Sequence, residues 1–269
     1  MKKEKKTSLQ NTLERITRRW WFFVIIFILQ MLPPFAAKGF SPEQFGLVTG
    51  EILSGCYLFA VPFLYTFFKI VPILLVGLIA WKGNRFSCLF SVYAGINYVF
   101  IAVLQSVGQT EHFGVGITFT NLIMFLLVAA SWFWEAALQE NDFNLQKWNR
   151  KMVWVIPLAA LAFWYPANAS TFQPDFNPVK IITNVAGLTF CMMTPVYLAM
   201  LLLFYPRVNV VTLRVTGLVG AIIALYNVSL NFIINFQEFW WNGILHIPLL
   251  IISIAAFIRS FQKRITSVE

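Results

Sequence analysis

The chain has 269 residues, of which 59% are hydrophobic and only 12% are charged, and its net charge is +9. Soluble domains carry about 25% charged residues, so this composition excludes an ordinary water-soluble globular protein. The positive charge does not indicate a nucleic-acid partner, because the basic residues cluster at the ends of apolar segments, where they set membrane topology. The composition therefore predicts an integral membrane protein surrounded by the lipid bilayer.

The N-terminal tail, residues 1–19, is basic and carries apolar residues at helical spacing. The apolar positions are Leu9, Leu13, Ile16 and Trp20, and Arg15, Arg18 and Arg19 lie between them. This pattern is compatible with an amphipathic helix on an anionic cytoplasmic leaflet, and also with a solvated tail that only fixes the orientation of the protein.

Eight apolar segments approach the length of about 20 residues that a helix needs to cross a bilayer. They cover residues 20–37, 52–80, 86–107, 115–138, 152–166, 184–204, 211–234 and 243–258. Two are irregular: 152–166 is short, and 52–80 is long and contains Pro62, Lys69 and Pro72. Either one kinked helix crosses there, or the helix ends near Lys69. The sequence thus predicts an all-α, polytopic bundle of about eight transmembrane helices.

Basic residues lie on alternate connections between these segments. One set of connections contains Lys82, Arg85, Lys147, Arg150, Lys151, Arg207 and Arg214, whereas the opposite set contains only Lys38 and Lys180. Positively charged loops stay in the cytoplasm. We therefore expect both termini to be cytoplasmic and the protein to lie in the plasma (inner) membrane.

The two halves of the chain resemble each other at an offset near 132 residues. Matched pairs include Leu13 with Leu145, Arg18 with Arg150 and Pro34 with Pro166, and later, at offsets of 130 and 127, Asn97 with Asn227, Gln105 with Asn235 and Glu111 with Glu238. The matches are scattered, so chance is the alternative to duplication. Duplication predicts two tandem, parallel four-helix repeats, 20–138 and 152–258, joined by a cytoplasmic linker, 139–151, and followed by a cytoplasmic tail, 259–269.

Amide side chains recur on one face of the third helix in each half. The second half has Asn227, Asn231 and Asn235 at spacings of four, and the first half has Tyr93, Asn97 and Gln105. Because an amide facing hydrocarbon leaves its polar atoms unpaired, both stripes should face protein or water. They are expected either to bind a substrate in a central path or to join helices by hydrogen bonds.

Carboxylates and the two histidines cluster in the second external loop of each half. These residues, Glu111, His112, Glu238 and His246, form a possible polar site on the outer face. Such groups can bind a metal or transfer protons, but their spacing matches no metal-binding motif. We therefore expect interfacial polar residues, with no metal and no cofactor.

Glu135 and Lys69 are the charged residues with the most apolar neighbours. Glu135 lies next to Trp132 and Trp134, which is typical of a membrane interface, whereas the position of Lys69 stays open. Outside the membrane, Ser41-Pro42-Glu43-Gln44 has the pattern of a helix start.

Three functions are compatible with these features. The first is a carrier or channel for a small solute, an ion or a lipid-like molecule, which moves through a polar path between two helical halves. The second is an intramembrane enzyme that acts on a lipid or isoprenoid through the outer-face residues. The third is an accessory subunit that binds a membrane partner subunit through its aromatic surface.

Overall fold

The computed structural model describes residues 2–168, 171–234 and 236–262. Most of these residues are helical. The α-helices are α1 (Lys2–Ile16), α2 (Trp20–Leu29), α3 (Phe45–Ser54), α4 (Tyr65–Lys82), α5 (Ser87–Ser106), α6 (Phe119–Leu138), α7 (Val155–Trp164), α8 (Lys180–Thr183), α9 (Phe190–Leu203), α10 (Val210–Ser229) and α11 (Phe236–Arg259). A π-helical turn, Leu230–Ile234, follows α10, and the 3-10 turns are Pro42–Gln44, Tyr57–Ala60, Pro62–Leu64, Gly83–Phe86, Leu145–Lys147, Arg150–Met152 and Val185–Leu188.

Four helical stretches in the described ranges are long and apolar enough to cross a membrane. They are Pro62–Ser106, Phe119–Leu138, Val210–Ile234 and Phe236–Arg259, and Lys180–Leu203 adds a fifth if this bent segment is one span. α2 and α7 are apolar but have only ten residues each. The all-helical class is therefore confirmed, with four or five segments able to span a bilayer, whereas the eight expected spans stay a prediction.

The outer surfaces of these helices are apolar. Trp20, Trp81 and Ile233 each expose more than 70% of their surface, at 74%, 74% and 79%. Inside the bundle, neighbouring helices approach closely at glycines: a Cβ atom on Gly95 of α5 would lie 2.8 Å from the ring of Phe133 in α6. Small residues at such crossings are typical of membrane helices, because packing rather than exclusion of water holds them together.

Neither alternative for residues 52–80, one kinked helix or a helix that ends near Lys69, is correct. α3 ends at Ser54, two 3-10 turns follow, and α4 begins at Tyr65. The reason lies in contacts of the backbone. Cys56 pairs as an isolated bridge with Gly108, and Gly55 packs so tightly on the Gln109 carbonyl that a Cβ would clash with it. Pro62 begins a 3-10 turn before α4, while Pro72 lies inside α4.

The hydropathy pattern also missed a small antiparallel sheet. Its strands are β1 (Phe35–Ala36), β2 (Val107–Gln109) and β3 (Val115–Ile117), arranged in the order β1-β3-β2. α3 covers the sheet, with Ile52 against Gly116. Strands of two or three residues are too short to give a detectable alternation in a sequence. The predicted helix start before α3 is confirmed, because the Ser41 N–H donates to Gln44 Oε1 at 2.9 Å.

The opposite end of the bundle from this sheet, called the basic end, is formed by residues 82–86, 138–152, 203–209 and 259–262. α1 packs there: Lys6 donates to the Ala137 carbonyl at 2.7 Å, and Gln10 bonds to Glu140 at 3.0 Å and to Asn209 at 3.1 Å. Neither expected form of the N-terminal tail included this docking onto the protein. The side of the membrane that the basic end faces stays a prediction.

The tandem repeat also stays a prediction. In both halves a helix of 20 residues, α5 or α10, packs along the helix that follows it. However, Asn97 is the eleventh residue of α5, whereas its matched partner Asn227 is the eighteenth residue of α10. The two asparagines therefore lie about two helical turns apart in depth, and they make different contacts.

Candidate functional site

An apolar helical segment of the second half, called the interrupted span, is broken near its middle and is either one bent span or a re-entrant loop. α8 and the turn Val185–Leu188 meet α9 at an angle of 98°. Asn184 starts the turn, because its Oδ1 accepts the Ala186 N–H at 3.1 Å, and Thr189 then adopts an extended backbone. Backbone groups at such a break have no helical partners, so inside a membrane they must be satisfied by neighbouring side chains or by water.

Helix α5 of the first half supplies those side chains. Asn97, which is fully buried, donates to the Gly187 carbonyl at 2.9 Å and accepts a hydrogen bond from the Tyr197 hydroxyl at 2.8 Å. About two turns nearer the sheet, Gln105 Oε1 accepts the N–H of Phe190, the first residue of α9, at 2.8 Å. Both amides, predicted as substrate-binding or joining residues, thus hold the two sides of the break.

Two tyrosines of α5 extend this contact. Tyr93, the third predicted residue of the stripe, donates to the Phe68 carbonyl of α4 at 3.2 Å. Tyr98 shares a hydrogen bond of 2.9 Å with Thr194, which precedes Pro195 in α9. Every polar side chain of the first stripe therefore bonds to α4 or to the interrupted span, and helix joining is the role that their contacts favour.

α4 lies directly against the break. A Cβ atom on Gly187 would lie 2.8 Å from the Phe68 carbonyl carbon and 3.0 Å from the Lys69 nitrogen, so only glycine permits this approach of two backbones. The Lys69 side chain is buried; its ammonium donates to the Phe163 carbonyl at the end of α7 and lies 4.0 Å from the Phe163 ring centroid. Lys69 is thus a buried donor that caps the end of α7 and does not extend to the surface of the protein.

The second amide stripe surrounds the π-helical turn. Asn227 donates to the Ile223 carbonyl at 2.9 Å, and Asn231 donates to the Asn227 carbonyl at 2.6 Å. Asn231 Oδ1 accepts from Asn242 of α11 at 3.0 Å, and Asn242 in turn accepts from the Tyr165 hydroxyl at 3.0 Å. The chain of bonds joins α10, α11 and the end of α7. The third member, Asn235, lies outside the described residues.

Several residues of this network left no signal in the sequence. Tyr165 lies at the end of segment 152–166 and Asn242 lies just before segment 243–258, and neither is repeated at helical spacing. Asn184 donates to the carbonyls of Trp164 and Tyr165 at 2.7 and 3.0 Å, which ties the end of α7 to the break. An asparagine before a glycine-containing turn is a recognisable signal, whereas the carbonyls that it binds are not.

The four outer-face residues do not form one hydrogen-bonded cluster among the described residues. His112 Nδ1 lies 2.7 Å from Glu51 Oε1 in α3, and its backbone N–H donates to Glu51 Oε2 at 3.1 Å. His246 is buried in α11 and bonds to the Asn242 carbonyl of its own helix at 2.7 Å. The Glu238 carbonyl accepts from Gln173 at 3.3 Å.

Hydrogen bonding couples the ionisation of His112 and Glu51. The bond to the Glu51 carboxylate raises the pKa of His112 above its ordinary value. Burial opposes the ionisation of Glu51, but the hydrogen bonds from the backbone and ring of His112 outweigh it and lower the pKa of Glu51. Glu111, the predicted neighbour, adds only a weaker charge effect on His112. The described ranges hold no group of three His, Cys, Asp or Glu side chains that fits a metal ion.

The chemistry available at the interrupted span is hydrogen bonding. Asn97, Gln105 and Asn184 bond to its backbone, and Gly187 allows it to pack closely on α4. Compared with known proteins, the chain matches no family model, no curated protein and no solved structure.

Proposed function

We propose that the protein is a membrane carrier or channel for a small solute, an ion or a lipid-like molecule, which passes between two helical halves, 20–138 and 152–258. The proposal rests on the break between Leu188 and Phe190 in the interrupted span. Transporters bind their solutes at discontinuous helices, because unwound backbone offers polar groups that a continuous helix keeps for itself.

Side chains that hold the break can be exchanged for a solute. Asn97 occupies the Gly187 carbonyl, and Gln105 occupies the Phe190 N–H. Such bonds between membrane helices are each worth about 1 kcal/mol or less. A solute that carries both a donor and an acceptor can therefore replace them at little cost, and a small difference in free energy then separates two arrangements of the segment.

Other positions in the second half at which helices can bend would allow these helices to move. Pro195 lies inside α9, Pro248 lies inside α11, and the π-helical turn Leu230–Ile234 separates α10 from α11. Prolines and π-turns are the usual sites of helix kinks, because each removes a regular backbone hydrogen bond. Rocking of α9 to α11 against α5 is the motion that these positions support.

An intramembrane enzyme remains the second hypothesis from the sequence, with Glu111, His112, Glu238 and His246 as its acid–base groups. A shared reaction centre needs these groups within reach of one substrate. His112 bonds to Glu51, and His246 bonds within its own helix, so their contacts favour the carrier instead. The accessory-subunit hypothesis predicts a fixed structure, which the following experiment separates from a carrier.

The test measures access to the break from each side of the membrane, without knowledge of the solute. Thr189 is half-buried at the break, and we replace it with cysteine after Cys56, Cys88 and Cys191 have been replaced with alanine. Membrane-impermeant maleimide is applied to sealed right-side-out and inside-out vesicles. A carrier exposes the cysteine to each side in turn, so labelling is expected in both preparations.

A cysteine at the exposed position Gln146, in the loop between α6 and α7, is the matched control. It should react in only one vesicle orientation, which verifies that the vesicles are sealed and sorted. Labelling of the Thr189→Cys protein in one orientation only, or in neither, would contradict alternating access and support a fixed accessory or enzymatic structure.

A further inference from the structure

Inside the basic end, Glu135 is buried near the end of α6. Only 1% of its surface is exposed, so its side chain faces protein, and its expected depth at the membrane interface stays a prediction. Its Oε1 atom accepts the Asn141 backbone N–H at 2.8 Å, whereas Oε2 has no hydrogen-bond partner among the described residues. A buried carboxylate with no adjacent cation among the described residues is costly, so burial favours the neutral acid.

One amide group beside Glu135 has the opposite influence. The Asn209 side chain lies next to the carboxylate and favours its ionised form, although its Nδ2 does not reach hydrogen-bond geometry. This amide has a fixed orientation, because its Oδ1 accepts the Val211 N–H at 3.0 Å. It cannot turn its oxygen towards the carboxylate, so its N–H donor favours an anion.

Charged groups from the surrounding elements do not neutralise this carboxylate in the described part of the chain. Glu140 adds a like charge. From α1, Lys6 bonds to the Ala137 carbonyl, and Glu14 lies 3.4 Å from Gln10. Arg214 of α10 is directed elsewhere, to the Thr17 hydroxyl at 2.7 Å and the Ser260 carbonyl at 2.6 Å.

Gln10 of α1 closes this site towards the end of the bundle. It is 2% exposed, and both atoms of its amide are used. Nε2 donates to Asn209 at 3.1 Å and to Glu140 at 3.0 Å, and Oε1 accepts from the Trp134 indole at 2.7 Å. The contact depends on α1, which packs on α10 at the end of the bundle.

We propose that Glu135 is a proton-binding group, and that docking of Gln10 controls its exchange of protons with water at the basic end. When α1 is docked, burial keeps the carboxyl neutral and out of contact with solvent. When Gln10 leaves, water reaches Glu135, water and the Asn209 amide stabilise the anion, and the proton is released. This proposal does not depend on the transport function, since it concerns only protonation and access.

The test uses dicyclohexylcarbodiimide, an apolar reagent that attacks protonated carboxyl groups, on the full-length protein in lipid vesicles. Peptide mass spectrometry measures the adduct on Glu135. Wild type is expected to react slowly, and less as the pH is raised. At about pH 4, below the ordinary pKa of a glutamic acid, most of the carboxyl stays protonated even after Gln10 has left. Gln10→Ala is there expected to react roughly 5- to 10-fold faster, the change in open population that corresponds to the loss of one or two hydrogen bonds. As the pH is raised, the variant should lose this advantage, because its exposed carboxyl releases the proton.

Three further variants make the result specific. Asn11→Ala removes an exposed amide from the same helix and should react like wild type. Trp134→Phe removes the other bond to Gln10 and should accelerate labelling, which covers the case that Gln10→Ala fails to fold. Glu135→Gln should abolish the adduct. Equal rates in wild type and the folded Gln10 or Trp134 variant, or no labelling of Glu135 in any of them, would overturn the proposal.

Discussion

Tyr93 of α5 donates a hydrogen bond to the Phe68 carbonyl of α4 at 3.2 Å. Pro72 lies four residues after Phe68 and has no N–H, so this carbonyl has no partner within its own helix. A side chain of one helix thus completes the backbone of its neighbour, inside a stretch long and apolar enough to lie in the bilayer. Substitutions of Pro72 and Tyr93 should therefore have coupled effects on the stability of the protein.

Replacement of Tyr93 with phenylalanine is expected to destabilise the protein by about 1 kcal/mol, because the Phe68 carbonyl loses its donor. In a Pro72→Ala background, the alanine N–H supplies that bond within α4, and the same replacement should then cost much less. Unfolding titrations in mixed detergent measure all four proteins of this cycle.

Tyr57→Phe serves as the control, since Tyr57 is 37% exposed and lies outside α4 and α5. It should leave stability within about 0.5 kcal/mol of wild type, as expected for a surface substitution. If Tyr93→Phe costs as much in the Pro72→Ala background as in wild type, the bond to the freed carbonyl does not stabilise the helix.

Gly187→Ala is expected to destabilise the protein by about 1–3 kcal/mol, because the added methyl group collides with the backbone of α4 and separates it from the break. Gly77 provides a matched control inside α4, where a Cβ meets nothing within 4 Å. Gly77→Ala should be neutral or stabilise the helix by up to about 1 kcal/mol. Thermal unfolding in detergent compares the two, and equal stabilities would exclude the close backbone contact.

Some elements could be predicted because their signals are local. The expected segments 86–107 and 115–138 correspond to α5 and α6, whose lengths approach that of a bilayer span. The start before α3 was also predictable, because Ser41 and Gln44 satisfy each other's polar groups within four residues. Hydropathy and capping need no knowledge of the rest of the chain.

The interrupted span, by contrast, depends on contacts between distant residues. Residues 184–204 are mostly apolar, and nothing in that stretch shows that Asn97 and Gln105, from α5, hold its backbone. The same is true at the basic end, where Gln10 bonds to Asn209, 199 residues away. A sequence shows which side chains need partners, but carbonyl acceptors are present at every residue and carry no signal.

Asn97→Leu is expected to destabilise the protein by about 1–3 kcal/mol, since it leaves the Gly187 carbonyl and the Tyr197 hydroxyl buried without partners. Tyr197→Phe removes one of those orphaned groups, so the double variant should be less destabilised than the sum of the single ones. Asn121→Leu, at a half-buried position of α6, is the control and should change stability little. Additive losses would show that Asn97 and Tyr197 do not interact.

The Glu51–His112 pair predicts a pH dependence at the sheet end. The raised pKa of His112 contributes stability that is present below its ordinary value of 6.5 and is lost as the pH rises through the folded-state pKa. The lowered pKa of Glu51 contributes stability that is present above its ordinary value of 4.5 and is lost as the pH falls through the folded-state pKa. The link between α3 and the β2–β3 turn should therefore be strongest between those two values.

NMR titration of the His112 ring in detergent micelles tests this link. Wild type should titrate above the ordinary value, and Glu51→Gln should bring the pKa of His112 down, because the amide keeps an acceptor but loses the charge. The change should be modest, since the His112 side chain is 66% exposed and water and salt screen the pair. Hydrogen exchange of the β2–β3 turn should accelerate in the same variant only near the pH where the pair is ionised. An unchanged titration in Glu51→Gln would mean that the histidine is held by the turn and not by the carboxylate.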